Sequence, residues 1–424
     1  MRKALAGMSS GNIKKLVFLM PYPISNFEKE KWCFDYLRGE GFEIQVLNLT
    51  KLLNKRLKFG NVNAVGHPHN QALRDSFVHQ VASYRELDCL VRQFSGDALF
   101  IDYLVGVSDI TLKEERVFRV LKKHRARFTF LLSGALPLPS PLAVSTSGVL
   151  KVLQSKVLKA VTSPGKLVNF FAAKVILLLT KHQILYSLPT VVFGGESDVL
   201  RSYIKKRNFD ATKLVRINST DYDASVLFLR KAGGELPGCK NICVFLDEAA
   251  THHPDFAILG MMPPDSKTYF SNMNRLFDFI EEDMGLDVVI AAHPRSRYES
   301  MPAAFGERPV IKDKTVELVA SAKLVVAHMS TSISYAVLFR RPTIFAKIPG
   351  MGASSHLNLM VETMAAALGA APIDLEKDDF TTSPLLRQGN LENYAEYEKC
   401  YVKTEGAAES PVWEIVAKTV KSMS

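Results

Sequence analysis

Cysteine is scarce in this chain: 424 residues hold only five, Cys33, Cys89, Cys239, Cys243 and Cys400, scattered and odd in number. Such a set argues against a disulfide framework and predicts a reducing compartment, the cytoplasm. Cys239 and Cys243 lack a second Cys/His pair at zinc spacing, so Cys243 reads as a buried strand residue and no metal is expected. Long apolar runs are lacking too. Residues 175–179 form an apolar run, far short of the roughly 20 residues of a membrane-crossing helix. Residues 4–8 are likewise too few for the apolar core of a secretory signal. No Gly-x-Gly-x-x-Gly run and no Walker-type lysine loop occurs, which argues against dehydrogenase and ATPase readings, and no cofactor is expected. No basic patch is interleaved with aromatics, so nucleic acid is not an expected partner.

Acidic residues are absent from one long segment. Lys151, Lys156, Lys159, Lys166, Lys174 and Lys181 stand there among Val, Leu, Ile, Ala and Phe, within a chain of net charge +10. Pro164-Gly165 splits the segment, about 148–186, into two helix-length pieces. Lys166, Lys174 and Lys181 fall within roughly 80° of one another at about 100° per residue, so they share a face. A basic helix pair with an apolar back predicts a surface that lies against anionic lipid at the inner face of a membrane. A core helix pair with a solvated lysine edge has the same pattern.

What the chain does contain is ordinary in bulk. Its 47% apolar and 23% charged residues fit a soluble globular protein, and the length suffices for two domains with separate cores. Apolar β-branched runs predict strands over about 16–20, 42–47, 98–101, 128–132, 190–193 and 213–217. Helices are expected over about 26–38, opened by the capping box Ser25-x-x-Glu28, over about 75–94 and over 112–124. After a Gly/Pro-rich linker at 231–238, strands are expected at about 242–246, 287–292, 324–327 and 343–346, with helices between them. The alternation predicts an α/β chain of two Rossmann-like parallel-sheet domains facing across a cleft. The division expected is 1–235, 236–394, and a helical segment 395–424 that packs back on the first domain.

Two strand ends are the most informative stretches. Val288-Val289-Ile290-Ala291-Ala292 runs into His293-Pro294-Arg295, and Leu324-Val325-Val326-Ala327 runs into His328-Met329-Ser330-Thr331-Ser332. Buried parallel strands deliver such residues to the carboxyl edge of the sheet, where ligands bind. Three consecutive hydroxyl residues at a helix start form a ready phosphate site, although the same residues serve as plain helix caps. An imidazole N–H and these hydroxyls can receive phosphate charge without a metal, and Arg295 and Arg297 add positive potential. His328 fits either a phosphate contact or a histidine hydrogen-bonded beneath the loop. Asp247 and Glu248 follow the strand at 242–246. Asp247, the first acid past the apolar run, is expected at the tip nearest the cleft and Glu248 on the alternate side. A carboxylate there acts as a base in an inverting transfer or a nucleophile in a retaining one. A loop-capping acid has the same sequence. His252-His253-Pro254-Asp255 lies close by and shapes the same rim. Adjacent loop histidines rarely converge on a metal.

Together, Asp247-Glu248, His293-Pro294 and Ser330-Thr331-Ser332, in this order on predicted strand ends, resemble the nucleotide-binding half of GT-B glycosyltransferases of bacterial surface-polysaccharide pathways. The resemblance is to sialyl-, polysialyl- and Kdo transferases that use CMP-activated ulosonic acids. Order and spacing are also similar to teichoic-acid glycerophosphotransferases, which use CDP-glycerol. It covers about 241–346 and departs at Ala249, where the sialyltransferase pattern has glycine. The resemblance implies a metal-independent transferase that moves a CMP-linked sugar to a lipid-linked or growing glycan of capsule, O-antigen or lipopolysaccharide. Alternatives are a CDP-glycerol or UDP-sugar donor, or a non-catalytic nucleotide-sugar-binding assembly subunit. Tyr22, Asp102-Tyr103, Ser133-Gly134 and Gly194-Gly195-Glu196 also fall at predicted strand ends of the first half, where an acceptor would sit.

Overall fold

The computed structural model describes residues 12–53, 72–104, 112–132, 136–137, 175, 187–195, 201, 204, 214–253, 256, 261–352, 355–378 and 391–423. Strand β1 (Lys15–Met20) is followed by helices α1 (Asn26–Lys31) and α2 (Phe34–Gly39), β2 (Glu43–Asn48) and α3 (Thr50–Leu53). Then come β3 (Val78–Gln80), α4 (Tyr84–Phe94), β4 (Ala98–Asp102), α5 (Leu112–Lys123), β5 (Arg127–Leu132), β6 (Val191–Gly194), β7 (Leu214–Arg216) and α6 (Thr220–Lys231). The second half runs β8 (Ile242–Leu246), α7 (Ser266–Glu282), β9 (Asp287–Ala292), β10 (Val310–Lys312), α8 (Thr315–Ser321), β11 (Leu324–Ala327) and α9 (Ile333–Leu338). It ends with β12 (Thr343–Phe345), α10 (His356–Ala367), α11 (Leu391–Tyr397) and α12 (Val412–Ser422).

Two wholly parallel sheets result, in the orders β3-β2-β1-β4-β5-β6-β7 and β10-β9-β8-β11-β12. Both reverse direction beside their first strand, between β1 and β4 and between β8 and β11, and such switch points open a crevice at the carboxyl edge. Register aligns the second edge: Leu246 pairs with both Ala291 and Ala327. The residues just past those three positions therefore emerge side by side.

Two apolar clusters flank the first sheet, and a larger one surrounds the second. The chain passes between them twice. Tyr222 of α6 is buried in the second cluster, so α6 packs there although its residues precede the linker at 231–238. Val412, Trp413, Val416 and Val420 of α12 are buried in the first, against Phe18 and Trp32. The two crossing segments are bonded to each other. Ser219 N–H donates to Val402 O (2.9 Å), Thr404 N–H to Asn218 Oδ1 (3.1 Å) and Asn218 Nδ2 to Ala408 O (3.0 Å).

Three elements differ from the sequence expectation. The helix expected over 75–94 is β3 followed by α4, because Ser83 caps a helix starting at Tyr84, its hydroxyl accepting from Glu86 N–H. The first helix breaks where Cys33 takes φ +50°, giving α1 and α2 in place of one run to Arg38. The edge strand β10, three residues long, is too short for its pattern to register. The basic segment 148–186 lies outside the described residues except for Val175, which is exposed. Among the described residues no helix is long and apolar enough to cross a membrane.

Candidate functional site

A cavity of about 830 Å³ opens at the β8/β11 switch point. Asp247, Glu248, His253, His293, Pro294, Arg295, Met329, Ser330, Thr331 and Ser332 line it from the second half. Residues of α1, from the first half, and of α6, which packs on the second, also line it. The loops past β8, β9 and β11 thus converge as the register requires.

Asp247 is not placed as a cleft base. It is 3% exposed, and Oδ1 accepts from Ala249 N–H (2.9 Å) and the Tyr298 hydroxyl (2.7 Å), while Oδ2 accepts from His293 N–H (3.0 Å). Its oxygens hold the β8 and β9 loops together, so a substrate hydroxyl would have to displace one of these bonds. Asp247, expected as a catalytic tip acid, lines the cavity, and each of its oxygens accepts at least one hydrogen bond from the protein. One bond explains the departure at Ala249. This residue stands at φ +51°, a conformation that suits glycine, and the Asp247 carboxylate holds its N–H there.

Glu248, expected on the far side, lines the cavity with an oxygen to spare. Oε1 accepts from Met329 N–H (2.9 Å), and among the described residues Oε2 has no hydrogen-bond partner. Desolvation, with Asp247 adjacent, pushes its carboxyl up to about 8 although Met329 N–H works against the shift.

His293 is neutral with a defined tautomer. Its Nδ1 accepts from Arg295 N–H (3.1 Å), so the ring proton sits on Nε2. Burial, reinforced by His253, Arg295, His252 and Lys312, brings its pKa down to about 3. The His253 ring meets it edge to face at 4.8 Å between centroids. His252 braces the loop: its Nε2 accepts from Arg297 N–H (3.0 Å), and burial lowers its pKa to about 4.

Of the two placements expected for His328, the structure has the one beneath the loop. It is fully buried; Nδ1 donates to Ala346 O (2.7 Å), which leaves Nε2 to accept from the Tyr269 hydroxyl (3.0 Å). It sits beneath the loop carrying Ser330, Thr331 and Ser332. Neither Ser330 nor Ser332 is consumed as an ordinary cap. The N-cap position, Ser332, makes no side-chain cap bond, and Ser330 Oγ accepts only a long 3.3 Å bond from Ser332 N–H.

The opposite wall carries no sequence signal. Asp221 and Asp223 lie in the first turn of α6, where acids are commonplace through the helix dipole. Asp221 accepts hydrogen bonds from Ser334 and Tyr335 of α9, tying α6 to the helix behind the hydroxyl triplet. From the first sheet, Tyr22 lies near Arg295, and burial with Glu28 raises its phenol to about 12. Asp102 turns its Oδ1 onto Leu104 N–H (2.8 Å). The Tyr103 ring lies tilted against Trp32, with ring centroids 4.7 Å apart. Neither lines the cavity. Ser133, Gly134, Glu196, Pro254 and Asp255 lie outside the described residues. Among the described residues no cluster of three or more His, Cys, Asp or Glu side chains is arranged to hold a metal.

No family model and no curated protein matches this sequence. Among solved structures, a variant of the wall teichoic acid polymerase TagF is similar over 97% of this chain and 90% of that one, at 11% identity and a TM-score of 0.51. A UDP-GlcNAc 2-epimerase from Methanocaldococcus jannaschii aligns over 96% of this chain and 99% of that one, at 11% identity and a TM-score of 0.46. A putative UDP-N-acetylglucosamine 2-epimerase from Listeria monocytogenes aligns over 97% and 96%, at 10% identity and a TM-score of 0.45. The likeness to TagF is one of fold, and the chain has the GT-B architecture of two parallel-sheet halves across a cleft.

Proposed function

We propose that the protein is a glycosyltransferase that takes its sugar from a nucleotide-activated donor, with the donor phosphate at His293 and the Ser330-Thr331-Ser332 loop. One observation carries the reading: a neutral imidazole with its proton on Nε2, hydroxyls free of strong capping bonds and a carboxyl with an uncommitted oxygen line one cavity at a sheet switch point. In this scheme Glu248 Oε2 takes the proton of the acceptor hydroxyl as its oxygen attacks the anomeric carbon. The bond from that carbon to the phosphate oxygen breaks, and its electron pair stays on the phosphate. His293 Nε2–H, Ser330, Thr331, Ser332 and Arg295 receive the charge. Asp247 and His328 position these groups without touching substrate.

A CMP-linked ulosonic acid is the preferred donor, supported by the order of the three sequence motifs; CDP-glycerol and UDP-sugars are the alternatives. The acceptor is a lipid-linked or growing surface glycan. The work takes place on the inner face of a membrane, supported only by the lysine face of Lys166, Lys174 and Lys181. The two sheets form two domains, 1–235 and 236–394, with 395–424 returning to the first; the packing of α6 favours moving that boundary to near residue 218. A thermal-shift panel of CMP, CDP, UDP and GDP tests the donor. A ligand at about 100 times its Kd stabilises a native protein by about 2.7 kcal/mol. The largest shift is expected with CMP. A shift with UDP alone moves the donor class, and none with any nucleotide rejects the reading.

A further inference from the structure

The cavity wall facing the phosphate loops is acidic, although the chain as a whole carries a net charge of +10. Glu28, Glu30, Asp221 and Asp223 line it from α1 and α6 against the single ammonium of Lys31. Most of these charges are accounted for. Glu28 accepts from Ser25 N–H (2.7 Å), Asp221 from Ser334 and Tyr335 with Lys31 close to it, and Glu30 has interactions of its own. Asp223 is different. It is 7% exposed; Oδ2 accepts from Val412 N–H (2.8 Å), and Oδ1 has no hydrogen-bond partner. The charged groups that act on it are Glu414, itself paired with Arg230 (2.6 Å), and Asp221. Its carboxyl is pushed up to about 8, chiefly by desolvation.

Ionising a carboxyl withdrawn from water, with one oxygen unpaired and acids beside it, is costly, and a cation brought against it offsets that cost. We infer that the α1–α6 wall binds a ligand bearing a protonated amine, and that Asp223 is the residue that recognises it. On the reading of the site as a transferase, this ligand is the acceptor, a saccharide with a free amino group. An anionic acceptor is disfavoured there, since the four carboxyl groups face a single ammonium. The overall positive charge of the protein repels cations elsewhere, so an amine held against that field is held by a local site.

The test uses two trisaccharides that differ only at nitrogen, the β-1,4-linked trimer of glucosamine and its fully N-acetylated counterpart. Each is titrated by calorimetry into the full chain near pH 7 in 0.15 M salt, first alone and then with CMP present. The amine trimer is expected to bind at least tenfold more tightly than the acetylated one, and Asp223→Asn to bring the two within threefold while leaving the CMP thermal shift unchanged. The amide oxygen introduced by that substitution still accepts from Val412 N–H. Should the variant not fold, Lys31→Gln on the exposed face of α1 provides the second arm. Removal of that ammonium should strengthen amine binding about threefold. Equal binding of the two trimers, no binding of either, or a preference that survives Asp223→Asn overturns the inference. Failure of CMP to bind, with the amine preference intact, overturns the donor assignment and leaves this site standing.

Discussion

The two sheets reverse strand order at the same place, beside their first strand, yet the residues gathered around those strands differ in kind. Around β1 and β4 the packing is aromatic. Phe18 lies 5.7 Å from Trp32, 6.2 Å from Tyr103 and 5.5 Å from Trp413 between ring centroids, and α12 closes over it. At the β8/β11 edge the three loops present Glu248, His293 and Ser330 to a cavity instead. Topology supplies a switch point in both sheets, and in the second the residues past the strand ends line a cavity.

Opening the aromatic core of the first sheet should give the largest effect. Trp413→Ala removes a side chain that is 1% exposed and should cost about 3–5 kcal/mol of stability in urea unfolding, with nucleotide binding retained by the folded fraction. Loss of nucleotide binding by folded protein would show that this aromatic core also shapes the nucleotide site. His293→Ala at the other edge should leave stability nearly untouched and weaken nucleotide affinity by about 1.5–3 kcal/mol, and Ser330→Ala by about 0.5–1.5 kcal/mol, both read by calorimetry. Asp247→Asn sharpens the contrast between a ligand and its support. Its amide nitrogen would face either His293 N–H or the bonds at Oδ1, so unfolding should show a loss of about 1–3 kcal/mol, with affinity falling only secondarily. A further effect concerns pH. Glu248 has its folded pKa raised to about 8, so its neutral form favours folding. That stability is complete below the ordinary glutamate pKa of about 4.3 and is lost as pH rises through the folded value. Glu248→Gln should therefore flatten the fall in melting temperature across that window.

Most of this architecture was legible in the sequence because buried parallel strands are continuous apolar runs: 287–292 and 324–327 match β9 and β11 to the residue. The short edge strands β3 and β10 lacked enough residues to show a period. The assignment of Asp247 rested on strand alternation, which fixes sides but not partners. Tyr298, 51 residues along the chain, and His293 N–H take its oxygens. His328 was ambiguous for the same reason, since Tyr269 and Ala346 that hold it are distant in sequence. Asp223 was invisible because its significance lies in an absent partner, and only the packing of α6 against α12 reveals that.

The central claim is that the polar crevice, and within it Glu248 rather than Asp247, carries the chemistry. The most direct test is nucleotide release from the donor identified by the thermal-shift panel, compared between wild type and Glu248→Gln from pH 6 to pH 9. Ionised Glu248 is the active form, so wild-type kcat/KM should rise with pH and level off above about 8. Glu248→Gln should bind nucleotide normally, lose on the order of 10² to 10⁴ in turnover and lose that pH dependence. Turnover near wild type in folded Glu248→Gln, with the rise through pH 8 intact, would contradict the account.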